Sequence, residues 1–378
     1  MTAPQKSMNT YTHGDWYYPL ATRPTVNRPK KKIRLAHIDT GFAWHPCVDG
    51  DFDENNTMSF YKPTKKGVSE LRRPEELYRF GSMFLDHGLA TGAFVIGHPY
   101  SSKSSNSSNT NTPSITLPLN GMISNAAAFI DFIPMRVIDS VDISAADCKR
   151  LSLAINWAVD NDCSVISMSF GSMSVGASFD SSVPILRPAF ERARNKGVIL
   201  CCASGQGIPY MMYPGQFSLE GLCITCGPST KDQIPHNTGM SPFWSTFKDG
   251  YVTICAPGAQ MPKAYWANTG NLIRPNYSAG MMESEGSSYS TAFVASIAAL
   301  WLAQHETAID ELKRLSPEKV MDLFKLTIQQ TATPFAGLPK GIAKELFGPG
   351  IINPQRLLAD EGGSFIQKQR SRSDAVRQ

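Results

Sequence analysis

Apolar residues along this chain fall into two alternating arrangements: short unbroken runs, and longer stretches with a single apolar face. The runs 35–39, 129–137, 165–169, 198–203, 222–226 and 252–255 have strand length and are apolar at successive positions, as expected of strands covered on both sides. Between them Leu151, Ala154, Ile155 and Ala158 recur at helical spacing, and 186–196 repeats that period until Gly197 stops it. Strands alternating with helices predict a parallel sheet with helices on both faces. The expected fold class is therefore α/β, three-layered, with a mainly parallel central sheet.

Length changes this picture little. A chain of 378 residues would ordinarily suggest two domains, but there is no internal repeat, and one large α/β unit over 31–360 accounts for the pattern. Residues 1–30 read as an N-terminal extension and 361–378 as a polar, disordered tail. The segment 101–112 is Ser, Asn and Thr rich and reads as a loop insertion.

The net charge of +4 is small for this size and gives no reason to expect a nucleic-acid partner; the basic run from Arg28 to Arg34 reads as a solvated ramp. The N-terminus lacks the apolar core of a signal peptide, and no segment is long and apolar enough to span a bilayer. The expectation is a soluble, cytoplasmic chain with no membrane partner. Of the 8 cysteines, Cys201, Cys202, Cys223, Cys226 and Cys255 lie in apolar runs and are expected to be reduced core residues. Cys223 and Cys226 have redox-motif spacing, but on a strand they point to opposite faces, and no second pair completes a zinc site.

Three short segments carry chemistry. The run from Ile33 ends in Asp39-Thr40-Gly41, which puts a carboxylate at the C-terminal end of a strand; Asp86-His87-Gly88 opens a helix; and Gly286-Ser287-Ser288 places a hydroxyl in the first turn of a small-residue, apolar helix. A serine hydroxyl is a weak nucleophile near neutral pH. It needs an imidazole to take its proton, and that imidazole needs a carboxylate to fix its tautomer. A metal site built from His37, Asp39 and His45 is disfavoured: His37 and Asp39 share a strand face in a buried setting, without a third carboxylate or cysteine near that pair.

In this order the motifs resemble those of the subtilisin-like serine peptidases, whose Asp, His, Ser order is a known arrangement of the triad. Asp39-Thr40-Gly41 matches the aspartate motif intact, His87-Gly88-Leu89 stands for His-Gly-Thr, and Gly286 to Ala292 stands for the serine motif. The segment 166–171 resembles the substrate-binding strand and 197–206 the strand leading to the oxyanion residue, so the similarity spans about 33–360. The resemblance implies Asp39, His87 and Ser288 as the catalytic residues, with Gln206 as oxyanion donor. It implies Ser169, Phe170 and Gly171 as one wall of the substrate groove and Ala203, Ser204 and Gly205 as the other, their main-chain groups holding the peptide as an added strand. Met212 falls at the pocket floor. No acidic residue occurs in these wall segments, so a neutral or apolar side chain is expected beside the scissile bond.

Some family features are altered. Relatives often carry a calcium loop near 101–112, but that segment has no carboxylate, so no calcium site and no cofactor are expected. Residues 1–30 are too few for a folded prodomain, which implies an intracellular type or a processed domain. Gln206 replaces the common asparagine and carries its amide one methylene further out; a lost oxyanion donor costs roughly 10²- to 10³-fold. Ala292 replaces the proline that interrupts the serine helix, and should let that helix regularise and shift Ser288. Tyr289 is expected to narrow the leaving-group side, Phe293 replaces a histidine, and Leu89 is a packing change. Three functions follow: a serine endopeptidase acting on peptides or proteins, a ligase, transpeptidase or cyclase passing the same acyl-enzyme to an amine, and a non-catalytic peptide-binding module.

Overall fold

A computed structural model describes residues 26–62, 66–77, 84–98, 121–172, 182–205, 211–236, 251–270, 274–337 and 345–359. Among these, one sheet is built from β1 (Ile33–Asp39), β2 (Met58–Ser59), β3 (Val68–Ser69), β4 (Ile130–Arg136), β5 (Val165–Met168), β6 (Ile199–Ala203), β7 (Ile224–Ser229) and β8 (Ile254–Pro257). Its 8 strands run in the order β3-β2-β4-β1-β5-β6-β7-β8. The β2–β3 pair is antiparallel and the other pairs are parallel. This is the expected fold class. Each apolar run of the sequence becomes a strand, displaced by a few residues at most.

The order also explains where a site can form. β1 lies between β4 and β5, so the chain leaves it towards one edge and later returns past it to build the other half. At such a reversal the loops after the strands diverge, and a crevice opens beyond the carboxyl ends. Asp39 is the last residue of β1.

Seven helices are described: α1 (His87–Ile96), α2 (Ala145–Asp160), α3 (Val183–Asn195), α4 (Ser287–Gln304), α5 (Glu306–Leu315), α6 (Lys319–Thr331) and α7 (Pro354–Leu358). α2 and α3 bury the faces read from the sequence, including Leu151, Ala154, Ile155 and Ala158 on α2 and Leu186 on α3. α4 differs in kind. It carries no charged residue and is buried along its whole length except at Ser288 and Gln304. A helix apolar all round must lie inside the protein, and the run of Ala, Ser and Thr lets it sit close against the sheet.

Several elements escaped the sequence pattern: the short β2 and β3, the helices α5 and α6, and a hairpin. β9 (Met261–Asn268) and β10 (Tyr277–Ser284) form a separate antiparallel hairpin in which Tyr277 faces Asn268 and Ser284 faces Met261. β10 is mostly half-buried or exposed, so it has no apolar run to read. The hairpin packs beside α1, and the Trp266 indole donates to the Trp44 carbonyl at 2.9 Å.

All 8 cysteines are free and buried. Cys202 neighbours Cys223, and Cys201 neighbours Cys226, so Cys223 and Cys226 turn to different neighbours as strand alternation requires. Among the described residues no single helix is long and apolar enough to cross a membrane. The segments 1–25, 101–112 and 361–378, and with them the expectation about calcium, lie outside the described residues.

Because α4 is packed on every side, enlarging one of its fully buried small residues should be costly. Ala295→Leu is expected to destabilise the fold by about 1–3 kcal/mol, read as a lowered denaturant midpoint at constant slope.

Candidate active site

Asp39 and His87 are brought together by an unusually close approach of backbone to backbone. Gly88 follows His87 in the first turn of α1, and a Cβ added there would lie 2.1 Å from the Gly41 carbonyl oxygen. Gly41 itself has φ +100°, a conformation open to glycine. Thr40 ties the two segments: its Oγ1 accepts from the Gly88 N–H at 2.9 Å and donates to the Leu85 carbonyl at 3.1 Å. The buried Arg72 guanidinium donates to the Thr40 carbonyl at 2.8 Å.

With the helix held there, His87 Nδ1 lies 2.8 Å from Asp39 Oδ1 and 3.0 Å from Oδ2. An ionised carboxylate only accepts, so Nδ1 carries the proton and Nε2 is left as the basic nitrogen. Asp39 is 1% exposed. Burial works against its charge, but the charge and hydrogen bond of His87, with lesser help from His37 and the Thr40 N–H, hold its carboxyl below the usual carboxylate value. His87 keeps 13% side-chain exposure, so its ring reaches the crevice. Beside it, Asp86 pairs with Lys263 of β9 at 2.8 Å.

Ser288 enters from the other side. Gly286, with φ +145°, makes the turn into α4, and Ser288 is the second residue of that helix and half-buried. Its Oγ donates to the Ser169 carbonyl at 3.1 Å, and the Ser169 Oγ donates back to the Ser288 carbonyl at 3.0 Å. The hydroxyl is thus turned to the wall beside β5 and is not hydrogen bonded to His87. α4 continues unbroken through Ala292, whose carbonyl accepts from Ser296 Oγ at 2.8 Å.

The wall residues differ from expectation in one respect. The Gly171 N–H donates to the Val141 carbonyl at 3.0 Å and its carbonyl accepts from Ile143 at 3.1 Å; the Ser204 N–H donates to Cys226 at 3.1 Å. The Ser204 carbonyl accepts from the Tyr251 hydroxyl at 2.9 Å. These groups are not free to receive an added strand, because largely buried main-chain groups pair within the protein. Phe170 and Ala203 are buried, and Gly205 has φ +81°. Met212 packs on Gly171, where an added Cβ would meet its Cε at 2.7 Å. Gln206 lies outside the described residues.

Tyr289 also departs from its reading. Its ring is 3% exposed and meets Phe94 of α1 edge-on at 5.8 Å, while Phe94 stacks on Phe293 at 6.4 Å. These rings join α1 to α4 and do not narrow the leaving-group side. Leu89 is buried on α1, as a packing residue would be.

The sequence reading missed one group of residues at the site. His37, two positions before Asp39, is buried with Nε2 3.0 Å from Thr91 Oγ1 and 3.9 Å from Asp39 Oδ2. Thr91 Oγ1 lies 2.9 Å from the His87 carbonyl and 3.4 Å from Asp39 Oδ2. The signals were the spacings: i−2 on a strand and i+4 on a helix return a side chain to the same face. His45 stands apart from this group, with Nδ1 2.9 Å from Cys47 Sγ. Among the described residues no group of three or more His, Cys, Asp or Glu could hold a metal ion.

A mainly parallel sheet with a His–Asp pair at its topological switch and an accessible serine opposite defines a class, and sequence comparison agrees. Residues 30–350 match the Subtilase family, and the chain belongs to it. A thermostable alkaline protease of Halalkalibacterium halodurans is 26% identical over 274 residues, 72% of this chain and 63% of that protein. The chain therefore spans less than two thirds of that relative's length. Among solved structures, that of the subtilase cytotoxin SubAB assembly aligns with a TM-score of 0.59 at 16% identity, covering 95% of this chain and 97% of that one. A protease of Pseudoalteromonas arctica gives 0.59 at 17% identity, covering 92% and 97%. The prenylagaramide maturation protease PagA gives 0.51 at 19% identity, covering 88% and 94%. At these identities the likeness is one of fold.

Two outcomes follow from this geometry. Gly88→Ala must push α1 away from Gly41, so it should lower stability by about 1–3 kcal/mol and weaken the His87–Asp39 contact, seen as a reduced melting temperature and slowed reaction of Ser288. Burial lowers the pKa of His37 from 6.5 to about 4 and that of His45 likewise to about 4. The unfolded chain therefore takes up these protons first. Stability from both residues is complete above pH 6.5 and declines as pH falls towards 4, with His37 alone accounting for on the order of 3 kcal/mol. Denaturant unfolding across that window should show the loss, and a His37→Gln, His45→Gln double variant should flatten it.

Proposed function

We propose that this chain is a serine endopeptidase acting on peptides or proteins. The observation that carries the reading is the buried Asp39 held against His87 Nδ1, with Ser288 accessible at the start of α4, in a chain of the Subtilase family. Rotation of Ser288 Oγ away from the Ser169 carbonyl brings its proton to His87 Nε2. The oxygen attacks the substrate carbonyl, His87 returns the proton to the leaving amine, and water releases the acyl group by the same route. Asp39 fixes the His87 tautomer and stabilises the imidazolium. The Gln206 amide and the Ser288 N–H are the proposed oxyanion donors. The naming of relatives as proteases supports this assignment.

Met212 seated on Gly171 fills the floor of the first pocket, so a small neutral side chain is proposed beside the scissile bond. An extended substrate has to exchange with the pairing between Gly171 and Val141–Ile143, or bind beside it. Eight free buried thiols fit a reducing, cytoplasmic setting.

A second reading rests on the unbroken passage of α4 through Ala292, where the family has proline: the same acyl-enzyme passed to an amine, giving ligation or cyclisation. No metal or other cofactor has a part in either reading.

A fluorophosphonate probe should modify Ser288, and His87→Ala should cut the rate by at least about 10³-fold; an unmodified Ser288 would leave only a peptide-binding module. With an added amine acceptor, mass spectrometry of the products should show hydrolysis, and amide products would favour the ligase. Met212→Gly should raise kcat/KM for bulkier apolar side chains at the first pocket by roughly tenfold, the worth of one or two buried methylenes.

A further inference from the structure

The pair His37 and Thr91 stands behind Asp39 on the side away from the crevice, and neither is part of the proton transfer proposed above. His37 and Asp39 share a face of β1, and Thr91 sits one helical turn after His87. All three side chains are buried. His37 Nδ1 has no hydrogen-bond partner. A proton placed there would be an orphaned buried donor, so the imidazole proton belongs on Nε2, 3.0 Å from Thr91 Oγ1, with the Gly88 backbone as a second partner of the ring. Once the Thr91 oxygen accepts from His37, its own proton must point onwards. It finds the His87 carbonyl at 2.9 Å, with Asp39 Oδ2 at 3.4 Å. The Phe132 ring, 5.4 Å from the His37 ring, holds the imidazole from the sheet side.

We propose that His37 is a positioning residue: its Nε2–H orients the Thr91 hydroxyl, and that hydroxyl in turn fixes the first turn of α1 and presents a positive dipole to the far oxygen of Asp39. The near oxygen is held by the Thr40 N–H at 2.7 Å and by His87. With Thr91 locked, each carboxylate oxygen has a donor set that only one rotamer satisfies, so His87 meets a carboxylate that cannot turn. Without His37 the Thr91 hydroxyl keeps its bond to the His87 carbonyl but loses the donor that fills its oxygen and fixes its direction.

The dipole also tempers the carboxylate. The Thr91 proton lies chiefly on the His87 carbonyl at 2.9 Å, and its weaker contact with Asp39 Oδ2 at 3.4 Å adds a small share to the donors of the carboxylate. Without His37 that contact is no longer held in place, and the carboxylate relies more fully on His87 and the Thr40 N–H. The other charged groups around His87 are Asp39 on β1 and the Asp86–Lys263 pair between α1 and β9; α4 contributes none. Arg136 of β4, in register with Asp39, is paired with Glu70 and with Asp139 at 2.8 Å, and the Arg72 guanidinium lies 3.6 Å from Asp139. None of these changes when His37 is replaced by an uncharged residue.

The proposal rests on Ser288 and His87 acting as assigned above, and its test separates the two. Labelling rates of the full chain with a fluorophosphonate are measured for His37→Leu, His37→Gln, Thr91→Val, Thr91→Ser and the His37→Leu, Thr91→Val double variant. Leu and Val should each slow labelling roughly 5- to 10-fold, the worth of about one hydrogen bond. Gln keeps an N–H near the Nε2 position and Ser keeps the hydroxyl, so both should return to within about twofold of wild type. The double variant should be no slower than the slower single one, because both remove one chain of contacts. In the Ser288→Ala chain, the proton NMR resonance of the hydrogen shared by His87 and Asp39 should move in His37→Leu and return in His37→Gln. A folded His37→Leu with the wild-type rate, or a folded His37→Gln that behaves as Leu, overturns the proposal. Should His37→Leu fail to fold, the Thr91 pair and His37→Gln decide alone. A wild-type chain that does not label would refute the assignment of Ser288, while the NMR comparison still judges the contact proposed here.

Discussion

The contact on which this site depends is the approach of the Gly88 backbone to the Gly41 carbonyl. A side chain at Gly88 would hold α1 and β1 apart, and the His87 ring would no longer meet Asp39 through hydrogen bonds of 2.8 and 3.0 Å. Around that contact the structure solves an electrostatic problem. A carboxylate at 1% exposure has lost its water and must find donors within the protein. Thr40, His87 and Thr91 surround it, and Arg72 braces the Thr40 carbonyl behind.

On the other side of the crevice the constraint is helix burial. α4 is packed all round, and its N-terminal turn is where it emerges, which leaves Ser288 at the surface of an otherwise closed element. The aromatic contacts of Phe94 with Tyr289 and Phe293 pack α1 against α4, joining the helix that carries His87 to the helix that carries Ser288. Between them the Ser169–Ser288 exchange of hydrogen bonds keeps the hydroxyl engaged until something displaces it. The main-chain groups of Gly171 and Ser204 are closed on themselves in the same way, paired within the protein.

Much of this was legible in the chain. Buried parallel strands are apolar on both faces, so each announces itself as an unbroken run, and the six runs read from the pattern are the six longest parallel strands of the sheet. The three chemical motifs were visible because turns next to a functional side chain need glycine, as Gly41, Gly88 and Gly286 show. The β9–β10 hairpin was not visible, since its outer strand is half in solvent and has no period to detect. Tyr289 was misread for a related reason: next to Ser288 in sequence, it points a different way in space, because on a helix neighbouring residues lie about 100° apart.

Local order along the chain thus determined the strands, the central helix and the identity of the chemical groups, because backbone geometry and desolvation act on neighbouring residues. What required the tertiary structure was everything that depends on distance between remote segments. The strand order that puts Asp39 at a reversal of the sheet is one example; the pairing of Gly171 with Val141 and Ile143 is another. The placement of His37 behind Thr91 is a third, since in the sequence His37 is one histidine among seven, and only the packing of α1 on β1 gives its nitrogen a neighbour.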